Sequence, residues 1–287
     1  MAADASAQIT ELAMDDHACL TFGEEEELLD LTSAFVRDGL KSGLKVVWLS
    51  DGLPQLAELG RRGVQVPPDG GRGQLVTAGC EGQLLSGRAF RADSALDWLS
   101  RQVESARENG FPGLRVAVDM GWALRPVAGI EELPKFEEGI AAALAGTAAS
   151  VLCQYDRERF DPVTLASVAG SHTRSVAAAT YHADAVLRIC RQYAPPGIRI
   201  AGEIDYQAEE ALALALAEAV RLGGDVVINL AALAFADARS TAMIADAVHT
   251  MAATGTVVLR CQPPVAAGFA RLGLEGLAGV RLAADGR

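Results

Sequence analysis

The sequence predicts an α/β protein of two units, and three features carry that expectation. Short apolar runs of strand length alternate with segments of helical periodicity from Cys19 to Asp156, the pattern of a parallel sheet with helices on both faces. The alternation restarts after Leu187 in a more compact form. A length of 287 residues is enough for two domains, each with its own core.

Taken in order, MAADASAQITELAMDD has no basic start followed by a long apolar stretch, so it reads as a loose tail over residues 1–14 rather than a secretory signal. ACLTF, KVVWLS, LRVAVDM and SVLCQYD are the strands of a first domain over residues 15–180. Between Asp93 and Gly110, Leu96, Leu99, Val103 and Ala106 mark the buried face of a helix that Asp93 or Ser94 can cap and Gly110 can stop. Leu133, Phe136, Ile140 and Leu144 define another helix with Pro134 in its first turn, and Asp161-Pro162 opens a third.

The stretch from Ser175 to Val186 is rich in small residues and holds the boundary, leaving a second domain over residues 187–287. LRICRQY and IRIAGEID form a hairpin around Ala194-Pro195-Pro196-Gly197. A helix from Glu209 to Leu222 leads to the central strand VVINL, the connection AALAFA and a helix capped by Asp237 with Met243, Ile244, Ala247, Val248 and Met251 on one face. TVVLRC, a short helix around Phe269 to Leu272 and a strand near Val280 to Leu282 complete it.

A formal net charge of −12 with no basic run repels a phosphate backbone, so proteins rather than nucleic acid are the expected partners. The apolar runs are too short to cross a bilayer, and a cytoplasmic protein is expected. The five cysteines are scattered without a C-x-x-C pair, which argues against a disulfide framework or a structural zinc site of ordinary spacing.

DHACLTF, LRVAVDMGWAL, KFEEGI, VLCQYDRERF and His172, in this order, resemble the MEDS domain, the sensory module named from methanogen and methylotroph regulators. The order of strands and helices around ACLTF and GLKVVWLS is similar to RecA/KaiC-like ATPases. The phosphate loop is missing: GEEEELLD puts Glu24, Glu25, Glu26 and Glu27 where a nucleotide's phosphates would sit. The resemblance therefore implies a RecA/KaiC-like sandwich that is not an ATPase. It also implies that ACLTF lies between LRVAVDM and SVLCQYD. IRIAGEIDYQAEEALALAL and FADARS resemble the STAS domain of anti-sigma factor antagonists. That resemblance implies a docking face for an anti-sigma factor or kinase-like partner, with Arg239 on the position of the serine that is phosphorylated in regulated members.

Ligands of open α/β sheets bind beyond the C-terminal strand ends, which nominates Phe22, Asp119, Trp122, Tyr155 and Asp156, with Glu137 from a neighbouring helix, for a small organic ligand. The bland reading makes Trp122 and Tyr155 core aromatics, with Asp156 in a solvated ion-pair cluster. His17 and Cys19 share one strand face, as do Cys153 and Tyr155, so His17, Cys19 and Cys153, completed by His172, form an alternative set for a metal- or thiol-dependent redox sensor or enzyme. No metal or cofactor is assigned in the leading reading, and no catalytic residues are assigned, since no G-x-S-x-G elbow or recognisable Cys-His context is present. Asp237, Arg239, Ser240 and Thr241 are the partner-docking and switch candidates. The leading expectation is a sensory domain controlling a protein-binding output, with ligand occupancy in place of phosphorylation. A scaffold that has lost its ligand is a third reading.

Overall fold

The computed structural model describes residues 7–50, 55–66, 73–86 and 89–284. It divides into two compact units, Met1–Ala177 and Ala178–Arg287.

In the first unit the chain runs through β1 (His17–Phe22), α1 (Glu25–Lys41), β2 (Lys45–Leu49), α2 (Gln55–Arg61), β3 (Leu75–Ala78) and α3 (Cys80–Leu84). It continues through β4 (Leu85–Ser86), β5 (Ala89–Phe90), α4 (Ala92–Glu108), β6 (Leu114–Asp119), α5 (Leu133–Leu144), β7 (Ala149–Asp156), α6 (Pro162–Ser171) and β8 (Arg174–Val176). The main sheet has the order β3-β2-β6-β7-β1-β8 and is parallel throughout. Its central strands are buried along nearly their whole length, as expected for a sheet covered on both faces.

This order corrects the expected placement of ACLTF. β1 pairs with β7 and β8, and β7 lies between β1 and β6. The strand ends still converge, because β1, β7 and β6 are successive neighbours. The expected loose tail is also corrected where it is described. The Ala7 N–H donates to the Ser175 carbonyl at 2.9 Å, and Ile9 and Leu12 are buried, since two apolar side chains gain more from the core than from water. Residues 1–6 of that stretch lie outside the described residues.

Local signals account for most helix ends. Asp161 accepts from the Val163 and Thr164 N–H groups ahead of Pro162. α4 departs from expectation: neither Asp93 nor Ser94 caps it, and Glu132, 40 positions along the chain, accepts from the Ala92 N–H at 3.0 Å.

The second unit holds β9 (Thr180–Ala183), β10 (Leu187–Tyr193), β11 (Pro196–Ile204), α7 (Glu209–Leu222), β12 (Val226–Leu230) and β13 (Leu233–Ala236). α8 (Ala238–Ala252), β14 (Val257–Cys261), α9 (Pro263–Arg271) and β15 (Val280–Ala284) follow. Its sheet order is β15-β14-β12-β11-β10-β9, with β13 paired to β11. The β10–β11 hairpin is antiparallel, with Tyr193 opposite Pro196 across the Ala194-Pro195 turn, whose peptide is cis. AALAFA, expected as a plain connection, contains the short strand β13. Leu212, Leu216, Ile228, Ile244, Val248 and Phe269 fill the core between sheet and helices. Among the described residues, no helix is long and apolar enough to cross a membrane.

Candidate functional site

Strand register builds the first site. His17 and Cys19 lie opposite Val151 and Cys153 on the adjacent parallel strand, so all four side chains point to one face, with Tyr155 two residues further along it. α5 and α6 close over that face. On α5, Glu137 falls within the stripe of Leu133, Phe136, Ile140 and Leu144, and it is fully buried. His172 caps the end of α6, and its ring is also fully buried.

Four of these side chains converge. Glu137 Oε2 lies 3.2 Å from His17 Nε2 and 3.3 Å from His172 Nε2, and Cys153 Sγ lies 3.5 Å from His17 Nε2. The two imidazole rings stack with centroids 3.9 Å apart. The Tyr155 hydroxyl donates to Glu137 Oε1, and His172 Nδ1 lies 2.6 Å from the Val168 carbonyl. A carbonyl only accepts, so Nδ1 carries the proton and His172 Nε2 presents a lone pair to the cluster. Among the described residues, Glu137 Oε2, His172 Nε2 and His17 Nδ1 have no hydrogen-bond partner, despite their burial.

The electrostatics follow from burial. Burial, then the His17 ring, push His172 down to about 4 against the pull of Glu137, so its imidazole is neutral at pH 7. Burial pushes the Glu137 carboxyl up, and the neighbouring His17 and His172 rings with the Tyr155 hydroxyl bring it below its ordinary value. Burial first and the Glu137 charge second push the Cys19 thiol up to about 12, and they raise Cys153 and Tyr155 well above their ordinary values.

The candidates therefore separate into two groups. His17, Glu137, Cys153, Tyr155 and His172 form a closed cluster beneath the sheet, and Cys19 is packed beside it in the apolar core. Phe22, Asp119, Trp122 and Asp156 lie at the C-terminal ends of β1, β6 and β7 or just beyond. Asp119 accepts from the Gly121 N–H at 2.8 Å, Asp156 accepts from the Glu158 N–H at 2.9 Å, and Trp122 is buried against Phe90. The strand-entry position of His17 is no obstacle to joining Cys153, because the cluster forms against the face of the sheet. The signal for Glu137 was present in the sequence: it sits four residues after Leu133 and three before Ile140, on the apolar stripe.

The second site is the start of α8. Asp237 accepts from the Ser240 N–H at 2.7 Å, and that backbone bond, then the Ser240 side chain, hold its carboxyl below the ordinary range. The Arg239 side chain is 65% exposed and pairs with Glu209 at the start of α7. Ser240 is buried at 1% exposure, and the Thr241 hydroxyl donates to the Asp237 carbonyl. Phe235, Tyr206 and Val186 are exposed apolar side chains, and Phe235 and Val186 line a groove of about 420 Å³ with Glu203 and Asp205. Asn229 has a structural place inside the sheet: its amide donates to Gln192 Oε1 at 2.8 Å.

Comparison with known proteins fits this division. The family model for the MEDS domain, described as the methanogen/methylotroph, DcmR sensory domain, matches residues 16–173, and the STAS domain model matches residues 193–283. No curated protein matches the chain. Among solved structures, the chain is similar to KaiC-like protein PH0186 from Pyrococcus horikoshii OT3, at 12% identity over 62% of this chain and 79% of that one, with a TM-score of 0.45. It is similar to flagellar accessory protein FlaH from Methanocaldococcus jannaschii, at 11% identity over 68% of this chain and 92% of that one, with a TM-score of 0.44. A third similar structure is uncharacterized protein PH0321 from Pyrococcus horikoshii, in complex with an unknown peptide, at 16% identity over 68% and 95% of the two chains, with a TM-score of 0.49.

Proposed function

The chain belongs to the MEDS family and carries a STAS domain after its sensory unit, and from that premise we propose a cytoplasmic regulator whose first unit senses a ligand and whose second binds a partner accordingly. Both modules are sensory or regulatory rather than catalytic, so the general role is signalling from sensor to STAS output. The finer reading is that the start of α8 docks an anti-sigma factor or kinase-like protein, and that ligand occupancy in the first unit replaces phosphorylation as the input.

The observation that carries this reading is the pairing of an exposed Arg239 on the family's switch position with a buried Ser240 beside it. Arginine holds a permanent positive charge where phosphoserine would bring about −1.5 to −2. Ser240 is packed inside, so a kinase would have to unwind the first turn of α8 to reach it. The exposed Phe235, two residues before Asp237, and Val186, which lines the same groove, support a protein partner rather than a solvated surface.

The input site of this reading is the buried cluster of His17, Glu137, Cys153 and His172. β8 begins two residues after His172, and Thr173 between them binds His17, the first residue of β1, twice, its N–H donating to the His17 carbonyl at 2.8 Å and its Oγ1 accepting from the His17 N–H at 3.0 Å. A ligand that moves His172 thus pulls on the strand that precedes the division between units. A thiol-redox mechanism has less support, since the raised Cys19 and Cys153 thiols are protonated and shielded, the opposite of a reactive thiolate.

The test is incubation of the full chain with an anti-sigma-type kinase and ATP, followed by intact-mass and peptide analysis. No phosphate on Ser240 or Thr241 is expected. Stoichiometric phosphate on either would overturn the proposed input.

A further inference from the structure

We propose that His17, Glu137, Cys153 and His172 form a closed site for one divalent transition-metal ion of the zinc class. This deepens the reading above by naming what the sensory unit takes, and it can fail separately from that reading.

The first argument is a conflict between lone pairs. In the neutral ring the proton sits on Nδ1, committed to the Val168 carbonyl at 2.6 Å, and His172 Nε2 is left as a lone pair. It nevertheless faces the carboxylate oxygen Glu137 Oε2 at 3.3 Å, with both atoms buried and neither hydrogen-bonded. Two acceptors held together away from water repel unless a cation or a proton lies between them. A metal ion satisfies His172 Nε2 and Glu137 Oε2 together with His17 Nε2 and Cys153 Sγ.

The second argument is size. Zinc bonds of about 2.0–2.3 Å to N, O and S set tetrahedral ligand–ligand edges of roughly 3.3–3.8 Å. The three contacts among these atoms are 3.2, 3.3 and 3.5 Å, and all four atoms lie within 4.8 Å of one another. The site already has nearly the dimensions of the coordination shell.

The outer partners provide the third. Tyr155 donates to Glu137 Oε1, leaving Oε2 as the one inward-facing oxygen, and the Val168 carbonyl fixes the His172 ring and its tautomer. These are the outer contacts that orient metal ligands. Two imidazoles, a carboxylate and a thiol suit zinc, cobalt(II) or iron(II) far better than magnesium or calcium. On binding, Cys153 ligates as the thiolate and its proton leaves to solvent. With four protein ligands the site is closed, which fits a structural or regulatory ion rather than a catalytic one. The ligands come from β1, α5, β7 and the end of α6, so occupancy ties four segments into one arrangement.

The experiment uses the full chain, purified with reductant, stripped with chelator and titrated with cobalt(II), then zinc. One cobalt per chain is expected, with a thiolate-to-cobalt charge-transfer band and the intense visible bands of tetrahedral cobalt, both erased by zinc. Cys153→Ser should abolish the charge-transfer band. His172→Ala should weaken binding by more than the roughly 10–100-fold that loss of an outer partner costs. Cys19→Ser should leave the spectrum unchanged, since Cys19 stands outside the set. Lack of stoichiometric uptake by the wild-type chain would overturn the site, as would a charge-transfer band that survives Cys153→Ser. If uptake is as expected but partner affinity is the same with and without zinc, the signalling reading falls and the site stands. If nothing binds and Glu137→Gln still alters partner affinity, the site falls and the signalling reading stands.

Discussion

Tyr155 shows how one hydroxyl can govern the buried cluster. Its O–H donates to a carboxylate that has lost all contact with water, and a hydrogen bond to a charged group contributes about 1.5–3 kcal/mol. Tyr155→Phe keeps the ring packed against Phe160, whose centroid is 5.1 Å away, and removes only the donor. Equilibrium urea unfolding should therefore show a loss of about 2 kcal/mol. An unchanged midpoint would mean that Glu137 is held by its other neighbours alone. At this scale much could be read from the sequence. His17 with Cys19, and Cys153 with Tyr155, were identifiable as same-face pairs because alternation along a strand fixes which side chains share a face, and His172 entered through the resemblance. The expected metal or redox set included Cys19, whereas the side chains that converge are His17, Cys153, His172 and Glu137, the last delivered by a helix, with Cys19 packed beside them. Glutamate on an apolar stripe is a signal only when its partners are known, and those partners lie on other elements.

At the scale of elements, the position of Glu137 depends on how α5 begins. Gly129 stands four residues before that helix with φ 83°, and a Cβ there would come within 2.1 Å of the Phe90 carbonyl oxygen. The Phe90 N–H donates to the Ala128 carbonyl at 2.8 Å, so the backbone is clamped against β5 and cannot back away cheaply. Gly129→Ala should lower the Tm in calorimetry well beyond Gly146→Ala, which shares the left-handed backbone at φ 72° but faces open space. Equal losses in the two variants would show that the turn yields and that α5 is not anchored there. Helix and strand existence was legible because periodicity is local. Pairing was not: the sequence carries no direct record of which strands are neighbours, so the placement of β1 beside β6 came from resemblance and gave way to β7. The Glu132 cap on α4 was hidden for the same reason, since a donor and acceptor 40 residues apart leave no spacing signature. The strand within AALAFA was too short, at four residues, for alternation to distinguish it from a connection.

At the scale of the whole molecule, each unit has a hydrophobic core of its own among the described residues. A chain of this kind is expected to yield two separately folding fragments, residues 1–177 and 178–287, and that separability sets up a decisive comparison. If the second unit holds the docking face, the fragment 178–287 should bind the partner with an affinity indifferent to zinc. In the full chain, coupling between sites typically amounts to about 1–3 kcal/mol, a shift in partner affinity of roughly 5- to 150-fold. Linkage then imposes a condition that no structural detail can relax: the partner must change the affinity of the full chain for zinc by the same factor and in the same direction. Calorimetric titration of partner into metal-free and zinc-loaded chain, and of zinc into free and partner-bound chain, measures both sides of that cycle. Equality of the two factors, together with an unresponsive fragment, would identify the sensory unit as the source of regulation. A fragment that responds to zinc by itself would move the control into the STAS unit and remove the need for a signal from the buried cluster.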